Sequence, residues 1–501
     1  MTIYNFNLGI GWASSGVEYA QVYRAKNFRA INQDAKFIFT DLILGENIAH
    51  FTQKIGFKNS EVIWLYTYFT DLKISETTYT IDDVENSIGI KPSNVEKNGS
   101  IIRLYYKEND MFLTAYLKDE NSNIVNRVEY VSRGMLIRKD YFTYTRMCSE
   151  YYTPKNNAAH LYQRKFFNED GSVAYEEIID GDNIVYKFPD KIMYSKYEFI
   201  KYFVEKLNFT KNDVVIIDRS TGQAQAILEN KKDAKVGVVI HAEHFSENST
   251  DDNNILWNNY YEYQFNYSDY IDFFITATDA QKNLLEEQFR KYYNKNIVVY
   301  TVPVGSIENL QYTEEKRKPY SLITASRLAS EKHIDWLIQA VVDAKQKLPN
   351  LTFDIYGSGG EQGKLVDKIS ENNAEDYIKL RGHKDLTDIY KNYEMYITAS
   401  TSEGFGLTLL EAIGSGLPII GFDVRYGNQT FITPDENGYL IEYDQENIRS
   451  GIEAITNKII SIYENNSLDE FRENSYKNAK KFLTKEVEKQ WLKLLNEVVG
   501  I

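Results

Sequence analysis

Two glutamates eight positions apart, Glu403 and Glu411, bracket the segment Ser402-Glu403-Gly404-Phe405-Gly406-Leu407-Thr408-Leu409-Leu410-Glu411. Gly404 and Gly406 permit a tight turn and a close ligand approach. A helix beginning near Leu407 would aim its unpaired N–H groups back at that turn, making an anion site suited to a diphosphate. Glu403 precedes the helix, where a group attached to the diphosphate would sit. Glu411 lies deeper, where it could accept hydrogen bonds from ribose hydroxyls. Such a spacing can also arise by chance, so it needs company.

Two further turns supply it. Ser326-Arg327-Leu328-Ala329-Ser330-Glu331-Lys332 places two cations just after an apolar run at 320–325. Cations at the carboxyl end of a parallel strand neutralise a pyrophosphate and stabilise the charge that builds as it leaves. Alone, the pair reads more readily as a solvated basic turn. Tyr356-Gly357-Ser358-Gly359-Gly360-Glu361 follows the strand-like run LTFDIY and resembles half of a dinucleotide fingerprint. The full Gly-x-Gly-x-x-Gly spacing with an acidic residue about 20 positions on is missing, so NAD is not implied.

Positioning these turns requires strands that end just before them. From 320 onward the chain alternates strand and helix patterns: strand 320–325, helix 333–347, strand 351–356, helix 361–372, strand 377–381, helix 385–392, strand 394–398, helix 407–415 and strand 417–421, with a final helix from 467 to about 499. The N-terminal 70 residues have the same grammar: strand 2–8, a Gly/Ser loop (Gly9, Gly11, Ser14, Ser15, Gly16), helix 17–30, and strands 36–44 and 62–69. It resumes with strands at 213–218, 236–240, 271–276 and 297–302 and helices at 221–230, 255–268 and 279–293. Between 72 and 190 helical periodicity is scarce. Short Tyr/Ile/Val/Thr runs are punctuated by turns, with a hairpin across Asn168-Glu169-Asp170-Gly171. The expected organisation is an α/β domain (1–71 and 191–302) interrupted by an antiparallel β-meander (72–190), then a second α/β domain (303–501). A meander offers a broad face or an edge for a partner, or it merely supports the fold.

Composition narrows the function classes. The 57 Lys and Arg against 72 Asp and Glu give a net charge of −15, which repels polyanions and argues against nucleic acid as the main ligand. No run of 18 uncharged apolar residues predicts a membrane span, and the N-terminus does not read as a signal peptide. Cys148 is the single cysteine, so no internal disulfide can form, as suits a reducing cytosol. The 40 tyrosines suit carbohydrate or peptide surfaces, or reflect compositional drift. The acidic pairs Asp82-Asp83 and Asp251-Asp252 read as surface or turn residues, and no metal site is expected.

The three turns, in order and each after a strand, resemble the retaining glycosyltransferases of the two-Rossmann (GT-B) type, whose main motifs are the E-x7-E segment and the Arg…Lys pair. The opening Gly-Ile-Gly-Trp-Ala-Ser-Ser-Gly-Val-Glu-Tyr-Ala and the β-insertion resemble more closely the A subunits of the bacterial transferases that O-glycosylate serine-rich repeat adhesins. The resemblance spans nearly the whole chain. It implies a donor held in the cleft of a GT-B fold. Gly16 would approach the donor phosphates, with Val17, Glu18 and Tyr19 opening the next helix. His241 would meet the donor sugar near its 6-hydroxyl, and Arg327 and Lys332 would bind the diphosphate. Arg381, Gly382, His383 and Lys384 would lie near the uracil. Glu403, Gly404, Phe405 and Gly406 would hold the sugar, with Thr408 near the phosphates and Glu411 on the ribose. Ser14 and Ser15 depart from the paired glycines of many relatives, as does His333 from a common glycine; both weaken inference about the donor.

The implied activity is transfer of N-acetylglucosamine from UDP-GlcNAc, with retention, to Ser or Thr hydroxyls of a serine-rich repeat protein, the first step of its O-glycosylation. The lone cysteine and the missing apolar span suit a cytoplasmic enzyme, peripheral at the inner membrane face or free of it, and no metal or other cofactor is expected because cations and a helix terminus can replace a divalent ion at the leaving group; the resemblance implies a paralogous B subunit in a hetero-oligomer. The alternatives are a same-fold transferase acting on a lipid or polysaccharide, and a non-catalytic binding or chaperone subunit. The intact set Arg327, Lys332, Glu403 and Glu411 argues against the last.

Overall fold

The computed structural model describes residues 1–11, 16–313 and 315–500, so Trp12, Ala13, Ser14 and Ser15 of the first predicted loop lie outside the described residues. The chain forms two compact units, Met1–Val239 with Asn259–Asp272, and Ile240–Asn258 with Phe273–Ile501.

In the first unit, strand Ile3–Asn7 lies between the parallel strands Ala35–Phe39 and Val214–Ile217. Val62–Trp64 extends this sheet beside Ala35–Phe39, and Lys235–Ile240 extends it beside Val214–Ile217. Two predicted strands end early. Thr40 and Asp41 both donate their N–H to the Leu8 carbonyl, which turns the chain out of the sheet, and Leu65–Tyr68 coils into a helical turn. The crossover helix Gly16–Ala30 is fixed from below by a buried polar network. Arg24 holds Asp218 through Nη1 and Nη2, each at 2.8 Å, Gln21 donates to Asp218 at 2.7 Å, and Asn7 donates to Glu18 at 3.1 Å. The bidentate charge pairing makes such burial tolerable, and it fixes the register of the helix on the sheet.

The insertion is a ten-stranded antiparallel meander from Asn94–Asn98 to Ile192–Met193, each strand paired with its sequence neighbours. The predicted hairpin joins Ala158–Phe167 to Val173–Asp180, with Gly171 at φ 82° where a side chain would be strained. One helix in this region has no counterpart in the sequence pattern, Ile81–Ile88. A capping box between Thr80 and Asp83 starts it and Gly89 ends it; Val84 is buried and Ile81 and Ile88 pack beside it, an apolar stripe of only eight residues, too short to stand out among the strand-like runs. The last strands share a core with the parallel sheet. Phe166 and Phe188 stack on Tyr175 at 4.5 Å, and the Tyr175 hydroxyl donates to the Tyr66 carbonyl at 2.8 Å.

The second unit is built on a six-stranded parallel sheet in the order Ile378–Gly382, Thr352–Tyr356, Ser321–Ala325, Met395–Ile397, Ile419–Phe422, Gly438–Ile441. Numbered along the chain from Ser321–Ala325, that order is 3-2-1-4-5-6, the doubly wound arrangement. Helices Ile334–Lys345 and Ile448–Glu464 cover one face through Leu337, Val341, Ile455 and Ile459. Leu409, Leu410, Ile413 and Phe482 pack on the other. The helix expected at 385–392 shrinks to a single 3₁₀ turn, Tyr390–Asn392, because Asp385 accepts from both the N–H and the hydroxyl of Thr387 and diverts the backbone. The expected terminal helix is two, Leu468–Ala479 and Thr484–Val499, broken where Phe482 turns in against Phe431. Among the described residues no helix is long and apolar enough to cross a membrane.

Candidate functional site

The order of the second sheet fixes where a ligand can sit. Strand order reverses between Ser321–Ala325 and Met395–Ile397, and ligands of doubly wound sheets bind beyond the carboxyl ends of the strands at that switch point. The chain leaving the first strand is the turn with Arg327 and Lys332; the chain leaving the second leads to Glu403. The structure joins them. Lys332 Nζ lies 2.8 Å from Glu403 Oε2, with the side chains 14 % and 21 % exposed, and Thr401 N–H donates to the Glu331 carbonyl at 3.2 Å. Such a pair is mostly desolvated, so its attraction exceeds that of a surface ion pair. Arg327 differs: 78 % exposed, it reaches Glu331 at 3.1 Å and can swing to an anion at little cost.

The glycine turn serves this site indirectly. A Cβ on Gly357, at φ 133°, would fall 1.8 Å from the Ser326 carbonyl oxygen, and one on Gly359 would fall 2.3 Å from that of Leu328. Leu328 N–H donates to Ser358 and Glu361 N–H to Leu328. The glycines are therefore spacers that let one backbone support the Arg327 turn, which explains the incomplete dinucleotide pattern.

At the glutamate turn Gly406 adopts φ 87° and brings no side chain to cap Leu407–Gly414, so the first turn of that helix has no side-chain cap. Phe405 turns its ring into the core against Phe431 at 5.0 Å, leaving its backbone at the turn. Thr408 bonds the Tyr396 hydroxyl at 3.1 Å, and Tyr396 in turn donates to the Ala325 carbonyl at 2.9 Å, tying this helix to the strand before Arg327. Glu411 accepts from the Tyr390 hydroxyl at 3.1 Å, and burial pushes its carboxyl up to about 7. Arg381 is committed to Asp354 through Nε at 3.0 Å and Nη2 at 3.1 Å, while His383 and Lys384 lie exposed just beyond it.

His241 follows Lys235–Ile240, and its carbonyl oxygen would lie 3.1 Å from a Cβ on Gly404, so Gly404 lets the two backbones meet. In the first unit the helix Gly16–Ala30 starts at an exposed Gly16, where a Cβ would meet nothing within 4 Å. Val17 is half-buried, Glu18 faces inward to Asn7 and lies 3.6 Å from Arg219, and Tyr19 is exposed. Of the acidic pairs, Asp83 accepts from the Thr80 N–H in the capping box, Asp251 accepts from the Asn253 and Asn254 N–H groups, and Asp252 pairs with Lys291.

Sequence reasoning missed Glu243 and the Arg425-Tyr426-Gly427 segment. The isolated bridge between Glu403 and Tyr426 brings that segment against the glutamate turn. A signal was available: it follows strand Ile419–Phe422 directly, at the same carboxyl edge of the sheet.

Comparison with known proteins adds to this geometry. Residues 94–190 match the GtfA extended beta-sheet domain, and residues 307–482 match glycosyl transferases group 1. The chain is 56 % identical over 99 % of its length, and 99 % of the relative's, to the UDP-N-acetylglucosamine–peptide N-acetylglucosaminyltransferase GtfA subunit of Streptococcus gordonii. Two solved structures share 55 % identity with it. The pneumococcal O-GlcNAc transferase GtfA in complex with UDP and GlcNAc superposes with a TM-score of 0.91, covering 100 % of this chain and 99 % of the other. A chain of the GtfA/B complex gives 0.98, covering 100 % of both.

Proposed function

The chain belongs to the family of GtfA subunits of UDP-N-acetylglucosamine–peptide N-acetylglucosaminyltransferases, and from that membership we infer that it transfers N-acetylglucosamine from UDP-GlcNAc to Ser or Thr hydroxyls of a serine-rich repeat polypeptide. The fold is GT-B with an inserted antiparallel sheet. The observation that carries the reading to particular atoms is the Lys332–Glu403 pair at the switch point of the second sheet.

The chemistry follows from that pair. The bond between the anomeric carbon and the diphosphate oxygen breaks. Arg327 and Lys332 stabilise the negative charge that collects on UDP, which is where preorganised cations contribute most to rate. The acceptor hydroxyl forms the new bond on the face the diphosphate leaves, preserving configuration, and its proton passes to the departing phosphate. Glu403, oriented by Lys332, accepts hydrogen bonds from the sugar and fixes its position; it is not a nucleophile. Glu411 takes the ribose, and the loop with His383 and Lys384 lies on the uracil side. The backbone N–H groups at Phe405 and the start of Leu407–Gly414 complete the sugar and phosphate contacts.

Because two side-chain cations supply the positive charge at the leaving group, no divalent ion is needed. UDP release from UDP-GlcNAc should persist in EDTA and exceed that from UDP-glucose. Loss of release on chelation would contradict the assignment of Arg327 and Lys332.

The paralogous partner is the B subunit, as in the GtfA/B complex. The meander exposes Met135, Ile137, Tyr162 and Ile178, apolar side chains suited to a partner or to an extended acceptor. We take the reaction to be the first step of adhesin O-glycosylation, carried out in the cytoplasm.

A further inference from the structure

We propose that Tyr426 is a positioning residue of the transfer, tying the turn that carries Glu403 to the loop that carries His241 so that the groups facing the sugar keep one spacing. The inference rests on the assignment of Glu403 and His241 to the donor sugar.

Two sets of bonds meet at Tyr426. Its backbone brackets Glu403: the Glu403 N–H donates to the Arg425 carbonyl at 3.3 Å, and the Tyr426 and Gly427 N–H groups both donate to the Glu403 carbonyl at 2.8 Å. Gly427 is required for this approach, since a Cβ there would lie 2.2 Å from the Phe405 oxygen and 3.0 Å from Glu403 Cγ. The phenol then runs inward, 1 % exposed, to the loop after Lys235–Ile240. Its hydroxyl bonds the Glu243 carboxylate and lies 3.3 Å from His244 Nδ1.

That far end is anchored in turn. His244 is fully buried, and its Nε2 lies 2.7 Å from Gln288 Oε1 on the helix Asp279–Tyr293. An amide oxygen only accepts, so Nε2 carries the ring proton and Nδ1 is an acceptor facing the phenol. The single phenolic proton therefore has two acceptors, Glu243 and His244, and no competing donor is needed to hold the ring. Arg425 adds a parallel tie to Glu247 on the same loop. Gly404 closes the ring of contacts at the His241 carbonyl. A hydroxyl buried at this depth between two acceptors, on the residue that clamps the Glu403 backbone, does more than fill space. Any packing role would be met by phenylalanine.

Tyr426→Phe keeps the ring and all three backbone bonds and removes only the tie. The nucleotide half of the donor, at Arg327 and Glu411, should not feel it. UDP affinity should stay within about twofold of wild type while kcat for transfer falls at least about tenfold, because a sugar displaced by a fraction of an ångström loses orientation rather than binding. The ratio of UDP-GlcNAc hydrolysis to transfer should rise. Glu243→Ala should reproduce the defect, Glu243→Gln, which still accepts from the phenol, should largely restore the rate, and the Tyr426→Phe/Glu243→Ala double variant should be no worse than either single. Wild-type kcat and an unchanged hydrolysis ratio in Tyr426→Phe would overturn the proposal, as would a parallel fall in UDP affinity, which marks simple support of the fold. Glu403→Gln and His241→Ala are run alongside. If both transfer normally, the underlying site assignment fails; if both are impaired while Tyr426→Phe is normal, only the positioning role fails.

Discussion

Glu403 meets Lys332 at 2.8 Å with only a fifth of its side chain exposed, so a change that keeps its shape tests its charge. Glu403→Gln should leave thermal stability within a few degrees of wild type and reduce transfer on the order of a hundredfold or more, as expected when one preorganised electrostatic contact is lost. Full transfer in a folded Glu403→Gln protein would remove Glu403 from the site. Glu411 offers a pH test. Burial raises its carboxyl to about 7, against 4.5 for the unperturbed group, so free enzyme holds a proton there between those values that an unfolded chain would not. On the proposed assignment of Glu411 to the ribose, the ionised carboxylate accepts from the hydroxyls more strongly than the acid. The donor KM should therefore rise as pH falls from about 8 to about 6, on either side of that value, while the donor diphosphate keeps its charge throughout. Glu411→Gln should flatten that dependence, and an unchanged slope would assign the titration elsewhere. The sequence could single out these two residues as candidates because the glycine turn they flank comes in order with two other turns, each after a strand-like run. It could not single out Tyr426 and Glu243, since a buried tyrosine 23 positions from its partner glutamate turn looks like any core aromatic.

Elements carry the site by how closely their backbones approach. Gly357 and Gly359 let the turn after Thr352–Tyr356 support the turn bearing Arg327. Gly357→Ala would drive a methyl group into the Ser326 carbonyl at a φ of 133° and should cost at least about 2 kcal/mol of stability, read as a lowered denaturation midpoint, with weaker UDP binding. A neutral substitution would mean the turn is not the support described. The strands of both α/β regions were readable because buried parallel strands are continuous apolar runs, such as Val214–Ile217, with all four residues buried. Helix 385–392 was misread because apolar spacing cannot show that Asp385 prefers to bond Thr387. Ile81–Ile88 was missed for the opposite reason: its caps are strong, but its apolar stripe of Ile81, Val84 and Ile88 spans only eight residues amid strand-like runs.

At the scale of the molecule, the meander is not a detachable module. Phe166, Tyr175 and Phe188 complete a core with Tyr66 and Phe199, so excision of 72–190 would strip the first unit as well as the binding face. Met135 and Ile137, exposed on the interior strand Met135–Phe142, can be altered without touching that core. Sequence pattern revealed the meander but not this shared packing, because the contacts join residues about a hundred positions apart and leave no local period. The net charge of −15 fits an acceptor that is a neutral, hydroxyl-rich polypeptide rather than a polyanion.

The most direct test is mass spectrometry of a serine-rich repeat polypeptide incubated with UDP-GlcNAc and this chain, with and without the B subunit. The expected result is addition of N-acetylhexosamine to Ser and Thr, dependent on Glu403. Measurable UDP-GlcNAc hydrolysis with no sugar on the polypeptide, even with the B subunit present, would contradict the proposed transfer.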